Sequence, residues 1–422
     1  MRFRPRTIIA AVAVLGTATA VAAFTIPASA DDNGEKVTES HEVFSPNGDI
    51  DRKKVTREVK DDPAPRSTVR KAEVVPILDN GPTEEKLDIV VVGDGYTEAD
   101  MATYEEHTRS KMDEVFAVEP FKSYKDQFNV WMVKVVSKES GVDHDPQGTL
   151  RDTALDMEFW CGDTERLLCV NTTKAKQYAA EAPDVDQVLA LGNSTKYGGA
   201  GYPSEDVGTS SGGNEQAGQV VVHEFGHSIG DLADEYTYGG GDTYTGPEVG
   251  EVNASIKDRA TQESEKVKWH QWMGEETPDG GTIDTYDGCR YYEHGIFRPS
   301  DNSIMRELGR EFNLPGREAM IGAFHDSAAV ASPTVPTKQK VAVGEELGLE
   351  LPDVHGDHTI EWKVDGKVVK SASGKTSLDT GGLKLDSGKH EVSVTVTDTT
   401  DWVRDEKLRA DNLTDTFTWT VA

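Results

Sequence analysis

The spacing of hydrophobic positions changes along this chain, and each change marks a boundary. Arg2, Arg4 and Arg6 precede an apolar run from Ile8 to Phe24, which ends at Ala28-Ser29-Ala30. A basic start, a short apolar stretch and a small-x-small end make residues 1–30 a secretory signal peptide by pattern. Residues 31–75 are polar and charged, and their apolar positions have no period. This stretch reads as a linker or pro-segment. A pro-segment could cap an active site through an acid such as Asp49, after Asn47-Gly48; a plain tether is the simpler expectation.

Residues 76–332 have a different texture. Leu87–Val92 is a continuous apolar run ending at Gly93-Asp94-Gly95-Tyr96, and Phe128–Val136 and Val188–Leu191 repeat the strand-like signal. A polar, helix-prone stretch, Glu98–Phe116, lies between the first two, and a glycine-rich loop, Tyr197–Gly201, follows the third. Strands alternating with helices predict a layered α/β domain. From Pro333 the spacing becomes two. Leu347, Leu349 and Leu351 alternate, as do Val392, Val394 and Val396, and Phe417, Trp419 and Val421; Asp365-Gly366 marks a hairpin. Residues 333–422 are therefore expected to form an immunoglobulin-like β-sandwich.

Charge and cysteine content narrow the function. The chain has 422 residues, with 75 acidic and 44 basic side chains and a net charge of −31. That balance argues against nucleic acid as a partner, since phosphate backbones attract positive surfaces. Beyond the leader no stretch is long and apolar enough for stable membrane insertion, so a secreted, extracellular monomer is expected. Of the three cysteines, Cys161 and Cys169 are close enough in sequence to close a small disulfide loop, which export permits. Cys289 is left as a buried thiol.

The candidate chemistry is concentrated in His223-Glu224-Phe225-Gly226-His227. Residues four apart share one face of a helix, so His223 and His227 can direct two imidazole nitrogens at one Zn²⁺. Glu224 is then placed to act as general base toward an attacking water. Chance can produce so short a motif. Here Val220, Val221, Val222, Phe225 and Ile229 surround it with apolar positions, and buried histidines need partners. Asn214 is a plausible N-cap for this helix and Gly230 a plausible end. A catalytic zinc also needs a third protein ligand. In the long metzincin motif it follows a glycine after the second histidine. Gly230 fits that glycine, position 233 is Ala, and Asp231, Asp234 and Glu235 are the acids within range.

These segments, with several others, resemble the IgA-peptidase family of metallopeptidases, or igalysins. The resemblance covers most of residues 85–325. It rests on Val92-Gly93-Asp94-Gly95-Tyr96-Thr97, Glu119-Pro120-Phe121-Lys122 with Tyr124, Phe128-Asn129-Val130, Ser137-Lys138-Glu139-Ser140-Gly141, His223 through Tyr236, and Phe297-Arg298-Pro299 with Asn302-Ser303-Ile304-Met305. It implies a zincin, metzincin-like catalytic domain with a mixed twisted sheet and an active-site helix. His223, His227 and Asp234 would hold zinc, Glu235 would be the reserve ligand, and Glu224 the base. Met305 would pack beneath the metal. Asp231 stands where family members often have glycine.

Tyr291, Tyr292 and His294 are candidates to line the cleft, with ordinary packing or surface roles as the simpler expectation; Arg298 is expected to make a structural ion pair. The function these features imply is a secreted zinc-dependent endopeptidase acting on protein or peptide substrates. The alternatives are an exported, non-catalytic binding protein on a peptidase scaffold and a zinc hydrolase of another kind.

Overall fold

The computed structural model describes residues 36–58, 72–337, 339–383 and 385–422. The expected signal peptide, residues 1–30, lies outside the described residues. Residues 36–58 form a β-hairpin, β1 (Lys36–Phe44) and β2 (Ile50–Glu58), folded against the body of the protein.

The body is built on β3 (Val74–Leu78), β4 (Leu87–Asp94), α1 (Met101–Val115), β5 (Phe128–Val133), α2 (Thr172–Ala179), β6 (Gln187–Gly192), β7 (Gly199–Tyr202) and β8 (Val207–Ser211), followed by α3 (Gly218–Ser228). One six-stranded mixed sheet results, in the order β3-β5-β4-β6-β8-β7. Its four inner strands are parallel and both outer strands antiparallel.

Every residue of β4 is buried, because a central parallel strand is covered on both faces. Its period of two divides the interior. Leu87, Ile89 and Val91 join α1 and α3 in one core, while Val90 and Val92 join α2 and the loop around Phe159 in another. Each such aliphatic side chain contributes roughly 1.5–3 kcal/mol when fully buried. Cys161 and Cys169 are joined by a disulfide in the second layer, and Cys289 is a buried free thiol.

Beyond α3 the chain forms α4 (Arg259–Glu265), the two-stranded β9 (Tyr286–Cys289) and β10 (Tyr292–Arg298), and α5 (Leu314–Phe324), which packs on the first core. The remainder comprises β11 (Ser332–Pro333), β12 (Lys340–Val341), β13 (Glu346–Glu350), β14 (His358–Val364), β15 (Lys367–Val368), β16 (Ser377–Asp379), β17 (His390–Asp398), α6 (Glu406–Asn412) and β18 (Thr414–Val421). Its strands form a three-stranded sheet, β11-β13-β16, and a five-stranded sheet, β12-β18-β17-β14-β15. Both contribute to one apolar core around Trp362 and Trp419. No described helix is long and apolar enough to cross a membrane.

Candidate metal centre

Helix α3 carries the site because it is buried on nearly every side. Val221, Val222 and Phe225 face the main core, and Val220 packs with Phe44, Ile50, Tyr197 and Tyr236. Its start differs from the sequence expectation. Asn214 lies in the preceding turn, and the first helical residue is Gly218, whose Cβ would lie 2.0 Å from the Glu114 carboxylate. Only glycine lets the two helices approach this closely.

At the other end the last turn closes through Gly230 N–H donating to Phe225 O and Leu232 N–H to Gly226 O. Asp231, φ 51°, takes the left-handed position of that turn. An acid is tolerated there because a short polar side chain occupies this region with little penalty. The reversal is then clamped by Asn253, which accepts from Ala233 N–H and donates to Ala233 O.

The result brings His223, His227 and Asp234 to one point and adds Glu42 from β1. His223 Nε2 lies 3.1 Å from His227 Nε2. Asp234 Oδ1 lies 3.4 Å from the first nitrogen and 3.2 Å from the second. Glu42 Oε2 lies 2.9 Å and 3.6 Å from the same pair. A tetrahedral zinc with ligand bonds of about 2.0–2.1 Å requires ligand-to-ligand edges of about 3.3–3.4 Å, and the spacings of 2.9–3.6 Å bracket that value.

The hydrogen bonds behind the donors agree. His223 Nδ1–H donates to Ile304 O at 2.8 Å and His227 Nδ1–H to Leu232 O at 2.7 Å. A carbonyl can only accept, so both neutral rings carry the proton on Nδ1 and turn the Nε2 lone pairs inward. Two lone pairs 3.1 Å apart cannot bond each other. Asp234 Oδ1, also buried, has no hydrogen-bond donor among the described residues, while its Oδ2 accepts from the Tyr291 hydroxyl.

Electrostatics favour a cation between these donors. Burial pushes the His223 imidazole down, but Glu42 and Asp234 override it and its pKa rises to about 10. His227 is likewise opposed by burial and held well above its ordinary value by Asp234 and Glu42. Burial pushes Asp234 up, yet the imidazoles hold it well below the usual carboxylate range. Two protonated rings in contact repel, whereas one divalent ion satisfies all the donors. The donor set therefore fits a metal ion, with Glu42, His223, His227 and Asp234 each offering one donor atom.

Glu224 lies on the β7 side of the helix. Its pKa is raised to about 8 by burial and by the nearby Glu42 carboxylate, and it feels both imidazoles and Asp234. Its Oε1 is buried without a hydrogen-bond partner among the described residues. The carboxylate has room because Gly201 faces it: a Cβ there would lie 1.6 Å from Oε2.

Other expected residues fall elsewhere. Glu235 is outside the cluster; its oxygens are taken by Asn253, Ser303 and Asn313, so it serves as an internal brace. Met305 is buried against α3, where a Cβ on Gly226 would come within 2.5 Å of its sulfur. Its carbonyl accepts Glu235 N–H, and the neighbouring Ile304 carbonyl orients His223. Arg298 bonds mainly to the carbonyls of Asp287, Gly288 and Asp301. His294 pairs with Asp287 at the surface, and Tyr292 stacks edge-on against Tyr244. Asp49 sits exposed at the hairpin turn and accepts from Asn47; the acid that reaches the site is Glu42.

Glu42 and Tyr236 were not singled out from sequence. The available signal was Ser45-Pro46-Asn47-Gly48-Asp49 between two runs with β-branched residues, which is a hairpin pattern. Tyr236 donates to Glu42 Oε1 at 2.6 Å. Burial and Glu42 hold its phenol far above the ordinary value, so it remains a donor.

None of the curated proteins matches the chain. The family model described as IgA Peptidase M64 matches residues 75–284, which include α3 and Asp234 but stop short of Met305. Through that segment the chain belongs to the IgA-peptidase family of metallopeptidases, which implies a metal cofactor and protein or peptide substrates.

Proposed function

We propose that the chain is an exported zinc endopeptidase, with His223, His227 and Asp234 as ligands and Glu224 as general base. In this reading the mixed sheet and α3 form a zincin domain, the C-terminal sheets an immunoglobulin-like module, and the protein is a secreted monomer. Support for export comes from the pattern of residues 1–30 and from the Cys161–Cys169 disulfide, which suits an oxidising compartment.

The observation that carries the reading is the convergence of both Nε2 lone pairs on the unpartnered Asp234 Oδ1, with each ring fixed from behind by a carbonyl. Bound there, zinc would supply Lewis acidity for the water and the scissile carbonyl. The chain's own residues do the rest. Glu224 accepts a proton from the attacking water at its carboxylate and delivers it to the leaving amide nitrogen. Tyr291 holds Asp234 through Oδ2 and leaves Oδ1 facing the histidines.

The test is cleavage of an unstructured protein such as casein by the purified chain, with and without a zinc chelator, beside Glu224→Ala. Chelator-sensitive cleavage, lost in a folded Glu224→Ala variant that keeps its metal, is the expected result. Retained cleavage by that variant would refute the role of Glu224.

A further inference from the structure

We infer that the hairpin β1–β2 is a built-in inhibitor that closes the metal centre with the carboxylate of Glu42. The inference rests on the metal-site reading above and adds a regulatory state to it.

The position of Glu42 is in tension with a working site. With Glu42 counted, four protein donors surround one point, and a zinc with four protein ligands is a closed, structural site. Yet Glu224, next to His223 on α3, is a buried carboxylate with an unpartnered Oε1. A structural site has no use for such a group, and a hydrolytic site requires one. The conflict disappears if Glu42 occupies the position that water and the substrate carbonyl must share, and leaves it in the active form. Its other oxygen, Oε1, accepts from the Tyr236 phenol, so Glu42 satisfies a donor that a substrate carbonyl would otherwise meet.

The hairpin is seated by contacts apart from Glu42. Phe44 and Ile50 pack with Tyr197, Ala217, Val220 and Tyr236, and the Phe44 ring meets His223 edge-on at 5.4 Å. Val55, 2 % exposed, enters the core around Phe159 and Cys161. Gly162 allows this, because a Cβ there would come within 2.5 Å of Val55. At the turn, Leu308 N–H donates to Gly48 O. In addition, β1 runs alongside β7, the outer strand of the main sheet, whose Gly201 faces Glu224. An outer strand is where an extended peptide adds to a sheet, so β1 covers the place a substrate strand would take.

The experiment uses the full chain and four proteins: parent, Glu42→Ala, Glu42→Ala with Val55→Asp to unseat the hairpin, and Asp49→Ala as a control at the exposed turn. Three quantities are read: bound zinc, the Kd of acetohydroxamate as a small metal-chelating probe, and casein cleavage. A ligand that needs the open state binds more weakly by the open fraction, so a latch closed about nine-tenths of the time or more gives at least a tenfold gain on release. We expect Glu42→Ala to keep its zinc and bind acetohydroxamate at least about tenfold more tightly than parent. The double variant should also cleave casein faster, and Asp49→Ala should match the parent. Unchanged acetohydroxamate affinity in both Glu42 variants with full zinc would overturn the inference. Loss of zinc in a folded Glu42→Ala would overturn it too, by making Glu42 a permanent ligand. Tighter acetohydroxamate binding without cleavage by any form would uphold the latch and count against the peptidase reading instead.

Discussion

Gly201→Ala isolates the position of the general base from its presence. Gly201 lies opposite Gly208 in the β7–β8 pair, and neither residue has the positive φ that would strain an alanine. The backbone therefore accepts the substitution, and alanine in a strand is favoured over glycine by roughly 0.5–1 kcal/mol. The cost falls on Glu224. The new Cβ would lie 1.6 Å from Oε2, 2.1 Å from Cδ and 2.6 Å from Oε1, whereas ordinary contact begins at 3.4 Å. Oε2 must move by about 1.8 Å, and a misplacement of about 1 Å can lower turnover by ~10²-fold. The folded protein is expected to keep its metal and its melting temperature while kcat falls at least ~10²-fold, or about 2.7 kcal/mol in the barrier. The assay is casein hydrolysis in parent and Glu42→Ala backgrounds, with Glu224→Gln as the floor and zinc content measured on each sample. A Gly201→Ala protein with full zinc and kcat within about threefold of its parent would show that the Glu224 carboxylate is not held where the reaction needs it.

Further outcomes follow from the same geometry. Asp234→Asn should lower zinc affinity by more than the ~10–100-fold typical of changes behind a ligand, and Tyr291→Phe should fall within that range; competition with a chelator measures both, and a parent-like Asp234→Asn would reopen the choice of third ligand. Asp88 gives a pH test remote from the metal. Its carboxyl is raised to about 6 by burial, while Trp131 and Asn129 donate to its Oδ1. The folded state thus prefers the protonated form, so stability is lost as pH rises from the unfolded value near 4 through about 6. Asp88→Asn keeps an oxygen for both donors and should exceed the parent's melting temperature by more at pH 8 than at pH 4.5; an equal difference at both pH values would refute the titration.

The local elements were readable along the chain because they depend on local spacing. Period-two alternation located β13, β17 and β18, and a continuous apolar run located β4. The four-residue interval between His223 and His227 places them on one helical face through local spacing alone. The ends of α3 were less legible. Its start is set by contact with Glu114 of α1 and its end by a left-handed Asp231, neither of which has a strong local signal.

The choice among the acids after the helix belonged to tertiary structure. Residue type and spacing alone left Asp231, Asp234 and Glu235 open, and only the family resemblance favoured Asp234; in the fold Asn253, Ser303 and Asn313 arrive from distant segments and engage Glu235, while Asp234 faces the histidines. Glu42 shows the limit most clearly. It is 181 residues from His223 in a polar segment without an apolar period, and His41, Glu42, Val43 and Phe44 are buried in succession because β1 is covered on both sides. A metal centre is a meeting of side chains in space. Residue types and their local spacing identify the groups with the chemistry and the helix that presents two of them; long-range packing selects the remaining carboxylates that reach the same point.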